Sequence, residues 1–309
     1  MKLTKIIIAG LICLLIGVVI FFVGFALADF DITKISTESK IQMKNFDSVN
    51  DVKEIIVEEK NLLFEIRKST DDSVHFTYYE NDKEYYDINQ SDDGVLSIVK
   101  KDTRKWYDYI FNINFQTNEP VIYIPKNYSG DLSVEDSNSS IDISDVTAMN
   151  VSLTTSNGKI VADKVMTSGK FDVSTSNGSI IISKMKASGD FISRTSNGKI
   201  DLEDVEAANF DLKTSNANVI LNSIISQNDI ALVTSNGQID LENIDFSNGF
   251  KCRSSNGSIS GEIKGNVSDY SIKSKTSNGN NNLPENSSGG DKSIDIETSN
   301  SSIEVNFID

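Results

Sequence analysis

Apolar and polar residues alternate in short runs along most of this chain, and the runs recur with a period near twenty. The phrase TSNG, or a near variant, marks each recurrence from Thr155 to Ser301, and a weaker copy, Asp136 to Ser139, precedes them. The asparagines of these phrases are Asn138, Asn157, Asn177, Asn197, Asn216, Asn236, Asn256, Asn278 and Asn300, spaced 19 to 22 residues apart. Six and four residues before each asparagine the chain is mostly aliphatic or phenylalanine, as at Phe171 and Val173 or Phe210 and Leu212. Three residues after it, isoleucine or valine fills every unit except the one carrying Asn281. Runs of period 2 on both sides of a polar tetrapeptide predict two short strands separated by a corner.

A period of this size implies a solenoid or a regular β array. In an antiparallel meander, Asn-Gly would form a hairpin turn with positive φ at both residues. In a parallel solenoid each unit is one coil, and equivalent residues stack about 4.8 Å apart. Ser139, Ala217 and Ser301 replace the glycine and would tolerate positive φ poorly, whereas the asparagine holds in all nine units. The expected fold is therefore all-β: a parallel β-solenoid of about 20 residues per coil and nine coils. The asparagines are expected to point inward as a corner ladder, hydrogen-bonded from coil to coil. On this reading Gly198 matters less to stability than Asn197.

The rest of the chain divides around that repeat. Residues 131–309 form the solenoid, and 46–130 carry short strand-like runs without the period. That second stretch is read as an N-terminal β cap region covering the first coil's open edge. Residues 29–45 are polar and read as a juxtamembrane stalk. Residues 1–28 contain an uncharged stretch from Ile6 to Ala28, long enough for one transmembrane helix. Lys2 and Lys5 before it, with Asp29 and Asp31 after it, put the N-terminus in the cytoplasm and the body outside. Ala26-Leu27-Ala28 would also suit cleavage of a signal peptide, but the apolar run exceeds a usual signal core. Near the other end, the polar run Asn280 to Asp291 reads as an exposed loop, after which Ile294 to Asp309 closes the rod.

Charge and chemistry narrow the function. A net charge of −16 argues against nucleic acid as a partner. Cys13 lies in the apolar segment and Cys252 in a core column, so no disulfide is expected. The single histidine, His75, has no partner that spacing identifies. No Cys/His metal spacing, phosphate-cradling loop or G-x-S-x-G is present, so no catalytic, cofactor or metal residue is nominated. Trp106, Tyr107 and Tyr109 lie in the most aromatic stretch, which suits either a buried strand or a carbohydrate-stacking patch. Acids such as Asp142, Asp163, Asp201, Glu203, Asp240 and Glu242 recur at the repeat period. Several converging on one groove would indicate a glycan-processing lyase or hydrolase; ladders would indicate binding.

The run Val121-Ile122-Tyr123-Ile124-Pro125, then Gly130-Asp131-Leu132-Ser133-Val134 and the TSNG units, resembles a known bacterial family. It is the putative-adhesin β-strand-repeat family of unknown function, and the anchored layout is similar to LiaG-like membrane-anchored cell-envelope proteins. The resemblance implies a membrane-tethered, surface-facing solenoid, with a link to the envelope stress response. The expected function is thus a non-enzymatic interaction module whose partner is a cell-envelope polymer or a membrane protein.

Overall fold

The computed structural model describes residues 2–27, 29, 41–49, 51–106 and 118–309, and these fall into two compact units. The smaller is drawn from Met1–Gln42, Glu80–Tyr85 and Lys101–Thr117. Its main element is the α-helix Lys2–Leu27, of which Lys5–Leu27 is long and apolar enough to cross a membrane. In the same unit the Arg104 guanidinium pairs with Asp102 at 2.7 Å and Glu84 at 2.8 Å.

The larger unit is the solenoid. Each coil has an entry strand before the asparagine and an exit strand after it. Entry strands such as Val151–Thr155, Phe171–Thr175 and Asp190–Arg194 pair in parallel, as do exit strands such as Ile160–Asp163, Ile180–Ala187 and Ile200–Ala207. Equivalent residues meet in register: Phe171 stands beside Phe191 and Ile180 beside Ile200. Parallel pairing rules out the hairpin alternative, because a hairpin would run neighbouring strands in opposite directions.

The columns read from the sequence form the core. Positions six and four before the asparagine, and three and five after it, are buried in the regular coils, as at Val151, Leu153, Ile160 and Ala162. The regular coils bury a further pair of inward columns. Val146, Val165, Met185, Val205, Ile224 and Ile244 are buried eight residues after the asparagine, and Ala148, Thr167, Ala187, Ala207, Ser226 and Phe246 ten after it. Between these columns and the four residues that begin at Ile141, Ile160 and their equivalents, within the exit strand itself in the longer ones, the backbone bends through a left-handed residue at Asp145, Lys164, Lys184, Asp204, Ser223 and Asn243, with φ from 51° to 57°. The positive φ of each regular coil thus sits at this second corner rather than at the TSNG phrase, where neither the asparagines nor the glycines adopt it.

The coil count and the coil order depart from expectation. Residues 131–309 make eight complete coils, not nine, because the unit around Asn278 contributes an entry strand, Tyr270–Thr276, but no exit strand. That strand is also outermost: Lys292–Thr298 inserts between it and Gly249–Arg253. The last segment of the sequence therefore lies one layer inside the end. Its neighbour, the polar run Asn280 to Asp291, covers the open edge instead of looping free. Ser287 exchanges backbone hydrogen bonds with Ile272 at 2.8 and 3.1 Å, and Leu283 is buried against the core. On the exit side the Asn282 amide donates to the Val305 carbonyl and accepts from its N–H, at 2.9 and 3.0 Å, as a neighbouring strand would.

At the N-terminal end, the stretch expected as a cap stacks as coils of its own. Glu54–Glu58 pairs in parallel with Asp131–Asp136, and Phe64–Lys68 with Ile141–Ser144. Val95–Asp102 and Val121–Ile124 lie on their far sides, again parallel. His75–Glu80 then pairs antiparallel with Val121–Ile124, and Gln42–Asp47, which begins within the span read as a stalk, pairs with His75–Glu80. On the entry sheet both ends therefore share one device: the outermost strands, Glu84–Gln90 and Tyr270–Thr276, are neither the first nor the last of the sequence.

Candidate functional site

The TSNG corner is the most repeated surface of the larger unit, and it has an inner and an outer layer. Inward parity changes there: Thr155 is buried, Ser156 and Asn157 are exposed, and Gly158 is buried again. The inner layer is a hydroxyl relay. Thr175 Oγ1 donates to the Gly158 carbonyl of the previous coil at 3.1 Å and accepts from its own Gly178 N–H at 3.1 Å. Thr195 repeats the pattern at 3.1 Å with Gly178 and Gly198, and Thr214 donates to the Gly198 carbonyl at 3.0 Å. Buried corner groups that would otherwise lack partners are satisfied in this way.

The outer layer is the asparagine stack, and it faces solvent rather than the interior. Asn157 Nδ2 donates to Asn138 Oδ1 at 2.9 Å, Asn177 to Asn157 at 2.7 Å and Asn197 to Asn177 at 2.8 Å. The chain of amides continues through Asn216, Asn236 and Asn256. Asn300 then donates to Asn256, and Asn278 to Asn300, each repeating the swapped order of the last coils. A tenth member, Asn61, accepts from Asn138 Nδ2 at 2.9 Å. Its signal was in the sequence: Ile55 and Val57 precede Asn61 by six and four residues, and Phe64 and Ile66 follow by three and five. The TSNG letters were missing, and only the spacing could have shown it. Because the amides are exposed, Asn197→Ala should lower the denaturation free energy by only about 1 kcal/mol in urea titrations.

Other nominated residues lie elsewhere. Trp106 is 75 % exposed, while Tyr107 and Tyr109 lie outside the described residues, as does most of the aromatic stretch that follows. Cys252 is fully buried, and that burial pushes its thiol pKa up, away from reactivity. The outward acids are interleaved with neutral residues: Asp142 and Asp201 are separated by Val161 and Ile181, and Asp163 and Glu203 by Ser183. Ser183 donates to Asp163 at 2.8 Å and Asn222 to Glu242 at 3.1 Å. Spacing like charges apart avoids the repulsion that direct cross-strand stacking would cause.

Near the N-terminal coils a cleft of about 760 Å³ is lined by Val49, Asp72, Pro125, Asn127, Tyr128 and Met149, among others. Val49 and Met149 are exposed apolar side chains on its wall, and Tyr128 is buried with its hydroxyl on the Asp131 carbonyl at 2.7 Å. Beside it His75 is held between two carboxylates, Nδ1 to Asp47 at 2.6 Å and Nε2 to Asp71 at 2.8 Å. The bonds to Asp47 and Asp71 favour the imidazolium and raise the pKa of His75, and Asp71 is lowered by the Ser73 N–H and by His75. A raised histidine pKa contributes stability that is fully present below the unfolded value and is lost as pH rises through the folded one. Proton NMR should therefore give His75 a pKa above the ordinary histidine range, and Asp47→Asn should bring it back down.

A protein-family model matches residues 52–306, which spans both the repeat and the coils before it. The chain belongs to the Toastrack DUF4097 family. Among curated proteins, none is similar enough to count as a relative. Solved structures match it at low identity. A "putative adhesin" from Bacteroides fragilis is 13% identical, covering 87% of this chain and 98% of its own, with a TM-score of 0.41. A "putative cell adhesion protein" from Clostridium sporogenes is 13% identical over 88% of this chain and 100% of its own, at 0.25. A "putative lipid binding protein" from Parabacteroides distasonis is likewise 13% identical, over 87% and 97%, at 0.39. The Toastrack match includes the amide stack, the swapped coils and most of the cleft, and begins after the apolar helix.

Proposed function

We propose that this Toastrack protein is a non-enzymatic interaction module tethered by its N-terminal helix, with that terminus in the cytoplasm and the solenoid outside the membrane. The observation that carries the reading is the pairing of one helix of membrane-crossing length with a stack that presents the same polar corner coil after coil. The partner would be a cell-envelope polymer or a membrane protein, met along the corner or at the N-terminal cleft, and the module would act in the envelope stress response. The interleaved outward acids support binding over glycan cleavage, since a hydrolase or lyase needs carboxylates converging within several ångströms on one bond.

Co-sedimentation of the full chain in detergent with purified cell-wall sacculi tests this, with released sugar fragments assayed in the supernatant. Binding without release supports the module. Released fragments would overturn it in favour of a glycan-processing enzyme, and failure to sediment would overturn the wall as partner.

A further inference from the structure

The inner corner column changes character at one boundary. In the coils of Asn157 through Asn300 it carries threonine or serine, but the Asn138 coil has Asp136, the Asn61 coil has Glu59, and the next position outward is Lys100. All three are almost fully buried, at 2 %, 3 % and 5 % exposure. Glu59 accepts from the Lys60 N–H at 3.0 Å and from the Tyr86 hydroxyl, and the Lys100 ammonium sits 4.4 Å from the centre of the Tyr86 ring. Asp136 Oδ1 accepts from the N–H groups of Asn138 and Ser139, at 2.7 and 2.6 Å. Its Oδ2 is buried with no hydrogen-bond partner. An orphaned carboxylate oxygen is costly when ionised and much less so when protonated.

We propose that Lys100, Glu59 and Asp136 form a pH-responsive joint that locks the N-terminal coils onto the repeating stack in mild acid and loosens as Asp136, with its unpartnered oxygen, ionises. Glu54–Glu58 leads to Glu59, Val95–Asp102 brings Lys100, Glu84–Gln90 brings Tyr86, and the coil beyond brings the uncharged Thr155. One lysine thus stands against two carboxylates, so the stack is neutral only while one of them keeps a proton. Burial, and then the charge of Glu59, push Asp136 up to about 6 from 3.8. The closed joint therefore holds its proton to higher pH than the open one, and its advantage falls as pH rises from about 4 through about 6. Residues from both sides of the boundary, Val52 and Val74 against Gly130 and Met149, line the cleft described above, so the same boundary runs through it.

Hydrogen exchange of the full chain in detergent, expressed as protection factors between pH 5 and pH 8, reads the joint without reference to any ligand. The amides that cross it at the corner include Glu59 to the Glu135 carbonyl at 2.8 Å and Asn138 to the Lys60 carbonyl at 3.0 Å. Peptides containing them should lose protection roughly tenfold across that range, because Asp136 in the closed joint still holds most of its proton at pH 5 and has lost it by pH 8. The Asn197 corner, whose amide bonds to the Ser176 carbonyl at 3.0 Å, should not change. Asp136→Thr, the residue of the regular coils, and Asp136→Asn, which keeps the side-chain volume, should both flatten the profile. A flat wild-type profile would overturn the joint, and so would an undiminished loss in either folded variant.

Discussion

Gly198→Val is expected to abolish cooperative folding of the central coils, a loss of about 4 kcal/mol or more in urea denaturation followed by circular dichroism. A Cβ on Gly198 would stand 1.7 Å from the Gly178 carbonyl oxygen and 2.3 Å from its carbon, both backbone atoms of the coil below. Neither can move aside without breaking the parallel ladders on both sides of the corner. Gly178 meets Gly158 at 1.7 Å and Gly237 meets Ala217 at 1.7 Å in the same way, so the requirement is a close approach of coils. The natural replacements show what a side chain does here. In the Gly158, Gly178, Gly198, Gly237 and Gly257 coils the corner N–H reaches the threonine or serine hydroxyl, at 2.9 to 3.2 Å. At Ala217 and Ser301, by contrast, the Thr214 and Thr298 hydroxyls keep only their bonds to the Gly198 and Gly257 carbonyls of the coil below, at 3.0 and 2.9 Å. Alanine is thus accommodated by giving up one corner hydrogen bond, and a branched side chain has no such concession available. This reverses the ranking expected from the sequence, in which the asparagine mattered more than the glycine.

Phe191→Ala should cost about 3–5 kcal/mol, the range for deleting a fully buried phenylalanine. Phe191 is 0 % exposed and stacks between Phe171, with ring centroids 5.6 Å apart, and Phe210, at 5.3 Å. Removing the middle ring leaves two others facing a void that parallel strands, fixed in register by their ladders, cannot close. Because each coil touches only its neighbours, the damage should stay local. The melt should split into two transitions as the coils on either side of the void uncouple. A single transition with an unshifted midpoint would mean that the core repacks and that the column is not a rigid stack.

Much of this architecture was legible in the residues. The nine asparagines, the aliphatic columns around them and the apolar helix Lys2–Leu27 were each set by local pattern. Period-2 alternation decides which side chains a strand buries, whatever its partner. The Asn61 coil was legible in principle as well, since Ile55, Val57, Phe64 and Ile66 keep the spacing when the TSNG letters are lost. Parity failed at the corners. Counting in twos from Leu153 through Thr155 would carry Asn157 inward, but the chain leaves the strand after Thr155, and the asparagine comes out to solvent while Gly158 turns in.

The parallel coil, its length of about twenty residues and its inward columns follow from the residues alone, because they depend on contacts between positions a fixed distance apart. Long-range packing was needed to set the order of coils at the two ends, the edge cover made by Asn280 to Asp291, and the buried meeting of Lys100, Glu59 and Asp136. Backbone ladders pair any strand with any other. Lys292–Thr298 can therefore slip inside Tyr270–Thr276, and Glu54–Glu58 between Val95–Asp102 and Asp131–Asp136, without altering a single local preference.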